Sequence, residues 1–217
     1  FPYTTLFRSG IYYRNSEPIV LLKNLRTNAE SFIEEEIGAV DPSQVQSIGT
    51  IFLSDTILLC CGCEKEVVKS AIEVHGRVAA KLVVESIDKG IPLRGATSVG
   101  DATIESPDDG QPMFVDRAID EAAAWYEQGN WIGVHLTPSA SLFLDATPKG
   151  WIEYPAAPMK VTVPRLLYCL DWPQAWRDSG RGREALASAL RALGPFNTDV
   201  GPKVLFSMEF YNHKKDI

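Results

Sequence analysis

Chemistry on phosphate groups needs a carboxylate to hold a divalent cation and fixed cations to hold the phosphate oxygens. One aspartate is well situated for the first task. Asp55 stands between two β-rich runs, Val45 to Leu53 and Thr56 to Cys61, separated only by Ser54 and Asp55. That spacing is the pattern of a tight antiparallel hairpin, with the aspartate at its tip. Ser54 and Thr56 supply hydroxyls beside it, and Ile51 and Leu53 share its face if the strand stays regular. The residue type serves two roles, a metal ligand or a turn residue that bonds its own backbone. Three cations could complete a phosphate site: Arg94 within a strand, Arg117 at the start of a helix and Lys160 near a strand. Each becomes a phosphate ligand only by converging on Asp55, and is otherwise a solvated charge.

Other chemistries find little support. There is no Gly-x-x-x-x-Gly-Lys-[Ser/Thr] loop, no Gly-x-Gly-x-x-Gly after a strand and no Gly-x-Ser-x-Gly elbow. His75 falls inside a helical stretch and His135 inside an apolar strand, far in sequence from each other and from His213, so both read as structural histidines. Cys60, Cys61 and Cys63 follow an apolar run and lack Cys-x-x-Cys spacing; with Cys169 they read as core thiols of a reducing cytoplasm.

The elements that must position these residues follow from periodicity. Glu17 to Ile37 carries apolar residues at helical spacing, as does Glu64 to Lys89, which Gly90 and Pro92 close. Strands are expected at Leu93–Val99, Ala102–Glu105, Trp131–Leu136, Pro164–Leu170 and Val204–Phe210. Helices are expected at Val115–Gln128, with Asp116 as cap, and at Gly182–Leu193. Helices and strands mix without strict βαβ alternation, which indicates one α+β domain with a mainly antiparallel sheet.

The composition narrows the partners. In 217 residues, 28 Asp+Glu against 21 Lys+Arg leave a net charge of −7, a poor match to a phosphate backbone, so no nucleic-acid partner is expected. No apolar run approaches the roughly 18 residues that would span a bilayer. At 45% hydrophobic and 23% charged residues, the chain can bury a full core.

Two resemblances sharpen the reading. Phe1 to Ser9, FPYTTLFRS, resembles the translated frame of a sequencing-library adapter, so residues 1–9 are expected to be a non-native scar and residues 10–217 the domain. The order of helix, hairpin with FLSDTILL, long helix, PLRGATSVGD, AIDEAAAWYE and WIGVHL resembles the catalytic domain of class III nucleotidyl cyclases, over Gly10 to about Leu170. Phe52 to Asp55, Leu93 to Ala96 and Ala118 to Ala122 further resemble the bacterial pyrimidine cyclases of the Pycsar anti-phage systems.

That resemblance implies a ferredoxin-like βαββαβ core, a head-to-tail homodimer, and two Mn²⁺ or Mg²⁺ ions per site. It implies conversion of a pyrimidine nucleoside triphosphate, UTP ahead of CTP, to a 3′,5′-cyclic monophosphate read by a downstream effector. Asp55 matches one of the family's two metal-binding aspartates; the first-strand aspartate has no match. Ile51 stands where purine cyclases place a base-reading lysine, and Lys160 resembles the triphosphate lysine. Asp120 and Ala124 replace the family's Asn and Arg, which leaves the transition-state role to Arg94, Arg117 or another cation. The alternative is a catalytically inactive cyclase-like module that binds a nucleotide or a partner.

Overall fold

The computed structural model describes residues 2–9, 18–39, 45, 47–53, 56–100, 102–105, 113–162 and 168–213. Its centre is a 7-stranded sheet. In chain order the strands are β1 (Pro2–Ser9), β2 (Ser47–Leu53), β3 (Thr56–Gly62), β4 (Leu93–Val99), β7 (Gly133–Leu136), β8 (Trp151–Glu153) and β9 (Tyr168–Leu170), laid side by side as β2-β3-β1-β4-β7-β9-β8. All neighbours run antiparallel except β4 and β7. A separate antiparallel pair joins β5 (Ala102–Glu105) to β6 (Met113–Asp116). The helices are α1 (Pro18–Gly38), α2 (Val68–Asp88), α3 (Arg117–Trp125), α4 (Pro138–Leu142), α5 (Trp172–Asp178), α6 (Arg183–Ala192) and α7 (Gly201–His213). This is the expected α+β class with a mainly antiparallel sheet.

Strand alternation divides the apolar residues between the two faces of the sheet. On β3, Ile57, Leu59 and Cys61 join the main core, with Leu93 and Val99 of β4 and the inward stripes of α1 and α2. Leu58 and Ala96 face the other way and meet Ala122 and Tyr126 beneath α3, with Ile51 and Cys60 packed at the margin of that smaller cluster. The main core continues to the C-terminal helices through Trp131, Trp172, Trp176, Phe210 and Tyr211, all nearly inaccessible to solvent.

Between α1 and α2, the buried Glu36 accepts from Arg77 at 2.6 Å and pairs with Lys81 at 2.9 Å. Burial alone would raise its pKa, yet the two cations hold the carboxyl below the usual carboxylate range. On α3, the Glu121 carboxylate accepts from the hydroxyls of Ser98, Thr137 and Ser139 and from the Ser139 backbone N–H. It thereby fastens α3 to the end of β4 and to the start of α4. Among the described residues, no helix is long and apolar enough to cross a membrane.

Pro2–Ser9, the segment that resembles an adapter, forms β1, paired with both β3 and β4. The structure departs from the sequence reading in three places. Val204–Phe210, expected as a strand, belongs to α7; its buried residues Val204, Ser207 and Phe210 recur every three positions, which is helical spacing. Val115 and Asp116 belong to β6, so α3 begins at Arg117. β7 starts at Gly133, two residues later than expected; of the expected strand Pro164–Leu170, Tyr168–Leu170 forms β9 and residues 164–167 lie outside the described residues.

Gly76 shows the packing constraint at residue scale. It lies within α2, where alanine would ordinarily favour the helix by about 1 kcal/mol. A Cβ there would fall 2.5 Å from Nε1 of Trp151, a buried indole that donates to the Ile72 carbonyl at 3.2 Å. Overlap with a side chain held in place outweighs the propensity gain. Gly76→Ala is therefore expected to lower unfolding free energy by about 1–3 kcal/mol in chemical denaturation, whereas propensity alone would raise it.

Candidate functional site

Sheet register sets which residues share one end of the sheet. Leu53 pairs with Thr56, Thr56 with Arg8, Arg8 with Arg94, and Arg94 with Gly133. Arg94 thus stands two strands from Thr56, about 10 Å at ordinary strand spacing. Its row is the one that closes the β2–β3 hairpin. Ser54 and Asp55, the two residues between those strands, lie outside the described residues.

Arg94 is half-buried on the α3 face of β4. Its guanidinium lies 5.5 Å from the ring centroid of Tyr126, and Nη1 donates to the Gly129 carbonyl over a long 3.5 Å. The same Gln128–Gly129 segment holds Lys160: the Lys160 backbone N–H donates to Gln128 at 2.8 Å, and Asn130 donates to Pro158 at 2.9 Å. Two loops distant in sequence are thus laced together, bringing the Arg94 and Lys160 charges to one region.

A third cation joins them from α7. Burial lowers the pKa of Lys203, and the positive charges of Arg94 and Lys160 lower it further, with Asp199 opposing only in part. A chain of hydrogen bonds fixes its position. The Ile132 N–H donates to Ser207 Oγ at 2.8 Å, and that hydroxyl donates to the Lys203 carbonyl at 2.6 Å. Arg94 and Lys203 border a cleft whose apolar walls include Leu93, Trp131, Ile132 and Val204. Trp131 is 1% exposed, and its Nε1–H has no acceptor among the described residues.

Of the residues named from sequence, Arg94 and Lys160 come together. Ile51 pairs with Leu58 and packs at the edge of the cluster beneath α3. Arg117 and Asp120 are exposed at the other end of α3, where Ala118 lies against Gly100. Tyr126, the neighbour of Arg94, is nine residues along from Arg117, about 13 Å at helical rise. Lys203 was missed because its segment reads as strand; Gly201-Pro202 ahead of an apolar residue every three positions was the available signal for a helix start.

The metal pattern implied by the cyclase resemblance needs two aspartates. β1 occupies the position between β3 and β4, but its sequence, PYTTLFRS, holds no carboxylate. Asp55 alone answers the pattern, so the residues present do not make the two-aspartate set. Among the described residues, no group of three or more His, Cys, Asp or Glu is arranged to hold a metal ion.

The fold is that of nucleotidyl cyclase catalytic domains. The guanylate cyclase domain of RhGC from Catenaria anguillulae, solved in complex with GTP, aligns with a TM-score of 0.50 at 12% identity, covering 78% of this chain and 95% of the other. The monomeric guanylyl cyclase domain of the RhoGC fusion protein from Blastocladiella emersonii aligns with a TM-score of 0.52 at 13% identity, covering 78% and 94%. No protein-family model matches the chain, and no curated protein matches it.

The buried histidines and thiols serve structure. His75 Nε2 lies 3.1 Å from the Leu59 carbonyl, and His135 is enclosed by Trp125 and Trp131. Burial pushes both pKa values down to about 4, against a smaller upward pull from hydrogen bonds to the Leu59 and Trp125 backbones. The cysteines are free thiols, and burial pushes Cys61 up to about 12.

Because the unfolded chain binds protons to these imidazoles at higher pH than the folded chain does, stability rises with pH between about 4 and 6.5. Each histidine contributes up to ~3 kcal/mol above that window, lost as the pH falls through it. Denaturant titrations at pH 7 and pH 4.5 are expected to show this loss. In His75→Gln its pH-dependent part is expected to shrink; an unchanged difference in that variant contradicts the assignment.

Proposed function

We propose that this protein is a nucleotidyl cyclase that closes a pyrimidine nucleoside triphosphate, UTP ahead of CTP, to its 3′,5′-cyclic monophosphate with release of pyrophosphate. The observation that carries this reading is the gathering of Arg94 and Lys160 at the hairpin end of a cyclase-fold sheet. In this reaction the ribose 3′-hydroxyl attacks the α-phosphorus, so the substrate brings its own nucleophile. The protein's work is positioning and charge neutralisation. Arg94 would hold charge that develops at the α-phosphate and Lys160 the terminal phosphates.

The pyrimidine preference rests on Ile51. It belongs to an apolar surface with Leu58, Ala96 and Ala122 and offers a base no hydrogen bond from its side chain. Apolar size selection separates substrates by only about 1–3 kcal/mol, so discrimination among bases is expected to be moderate. Asp55 is proposed as a ligand for Mn²⁺ or Mg²⁺, the chemistry of which is to polarise phosphate oxygens and acidify the hydroxyl. In a homodimer each site would draw Arg117 and Asp120 from the second chain, which fits their exposure at the far end of α3. A cytoplasmic enzyme whose cyclic product signals to an anti-phage effector is the outermost part of this proposal, and it rests on the Pycsar resemblance alone.

A second reading has its own observation. β1 lacks a carboxylate, which favours a module that binds nucleotide or a partner without turnover.

Incubation with ATP, GTP, CTP and UTP plus Mn²⁺, with products resolved by chromatography, is expected to yield cyclic UMP or cyclic CMP fastest. Asp55→Ala is expected to abolish product while the protein stays folded. A faster purine reaction contradicts the base assignment, and no product from any triphosphate favours the inactive module. Mixing Asp55→Ala with Arg117→Ala chains is expected to restore part of the activity. A strict monomer in sedimentation at assay concentration contradicts the shared site.

A further inference from the structure

We propose that α7 completes a polyphosphate-binding site, with Lys203 as its third cation beside Arg94 and Lys160. The proposal deepens the cyclase reading and rests on it for the identity of the anion as the phosphate chain of a nucleoside triphosphate. Two observations support it independently of that reading.

The first is electrostatic placement. The chain carries a net charge of −7, yet Arg94, Lys160 and Lys203 stand close enough for the first two to act on the third. Like charges brought together make such a place attractive to an anion. The second is shape. Arg94 and Lys203 border one cleft at the hairpin end of the sheet, and the rest of its lining is apolar, which strengthens the field that the cations exert.

The placement of Lys203 is also built rather than incidental. Ser207 accepts from the Ile132 backbone, just ahead of β7, and donates to the Lys203 carbonyl, so the first turn of α7 is tied to the end of the sheet that carries the cleft. Lys203 stands in that turn, where the N-terminal dipole of a 13-residue helix adds positive potential on the same side. Lys203 therefore acts as a binding residue for the phosphate chain, contributed by a helix near the C-terminal end of the chain.

Calorimetric titration of the full chain with inorganic tripolyphosphate tests this directly. Saturable binding is expected, weakened about tenfold or more in Lys203→Ala and largely retained in Lys203→Arg. Lys23→Ala, an exposed site on α1, is expected to bind as the original chain does. Thermal melts of each variant verify folding. Absence of binding to the original chain, or equal affinity in folded Lys203→Ala, overturns the proposal. Turnover separates the two readings. Tripolyphosphate binding that depends on Lys203, without any cyclic nucleotide formed, removes the cyclase reading and leaves the site. Cyclic product formed by Lys203→Ala at an unchanged KM removes Lys203 and leaves the cyclase reading.

Discussion

Backbone pairing of β1 with β3 on one side and β4 on the other is the constraint on which the rest of the molecule depends. Among the described residues no other strand bridges the β2–β3 hairpin and the β4–β7 pair. The pairing runs from Tyr3 to Arg8 on both sides at once. It therefore fixes the height of Thr56 relative to Arg94 as well as their neighbourhood. A slip of one residue would turn every side chain of β1 to the opposite face and move the hairpin end away from the arginine. The distance from hairpin to cation cluster is thus set by register, with no side-chain contact required.

The helices then divide the labour between the two faces of the sheet. α1 and α2 fill the main core, and their ion pairs around Glu36 couple them at the rim. α3 covers the other face only in part, clasped at one end through Glu121 and resting at the other beside Tyr126, where Arg94 reaches Gly129. Arg94 at the hairpin end is left half-exposed.

Much of this was legible in the sequence where a single period dominated. Leu93–Val99 and Ala102–Glu105 match their strands, and Pro18–Gly38 is one helix, in keeping with the spacing of Leu25, Ala29, Phe32 and Ile33, which left one helix or two open. α7 was not legible because Val204, Leu205, Phe206, Phe210 and Tyr211 are residue types that favour strands. Tertiary packing against Trp131 and Tyr154 prevails over that preference. β1 was lost for a different reason, since its letters were set aside on account of what they resemble. The pairing of Arg94 with Lys160 was only nameable in advance, because it depends on the Gln128–Asn130 and Pro158–Lys160 backbones lying together. Lys203 carried no local signal of a role once its helix had been misread.

The central claim is that the hairpin end of this sheet receives the phosphates of a nucleotide through Arg94. Titration with 3′-deoxyuridine triphosphate, which lacks the attacking hydroxyl, isolates binding from turnover. The account predicts saturable binding to the intact protein and a loss of about tenfold in affinity in folded Arg94→Ala. Equal affinity in the two proteins, or no binding to the intact one, would contradict it.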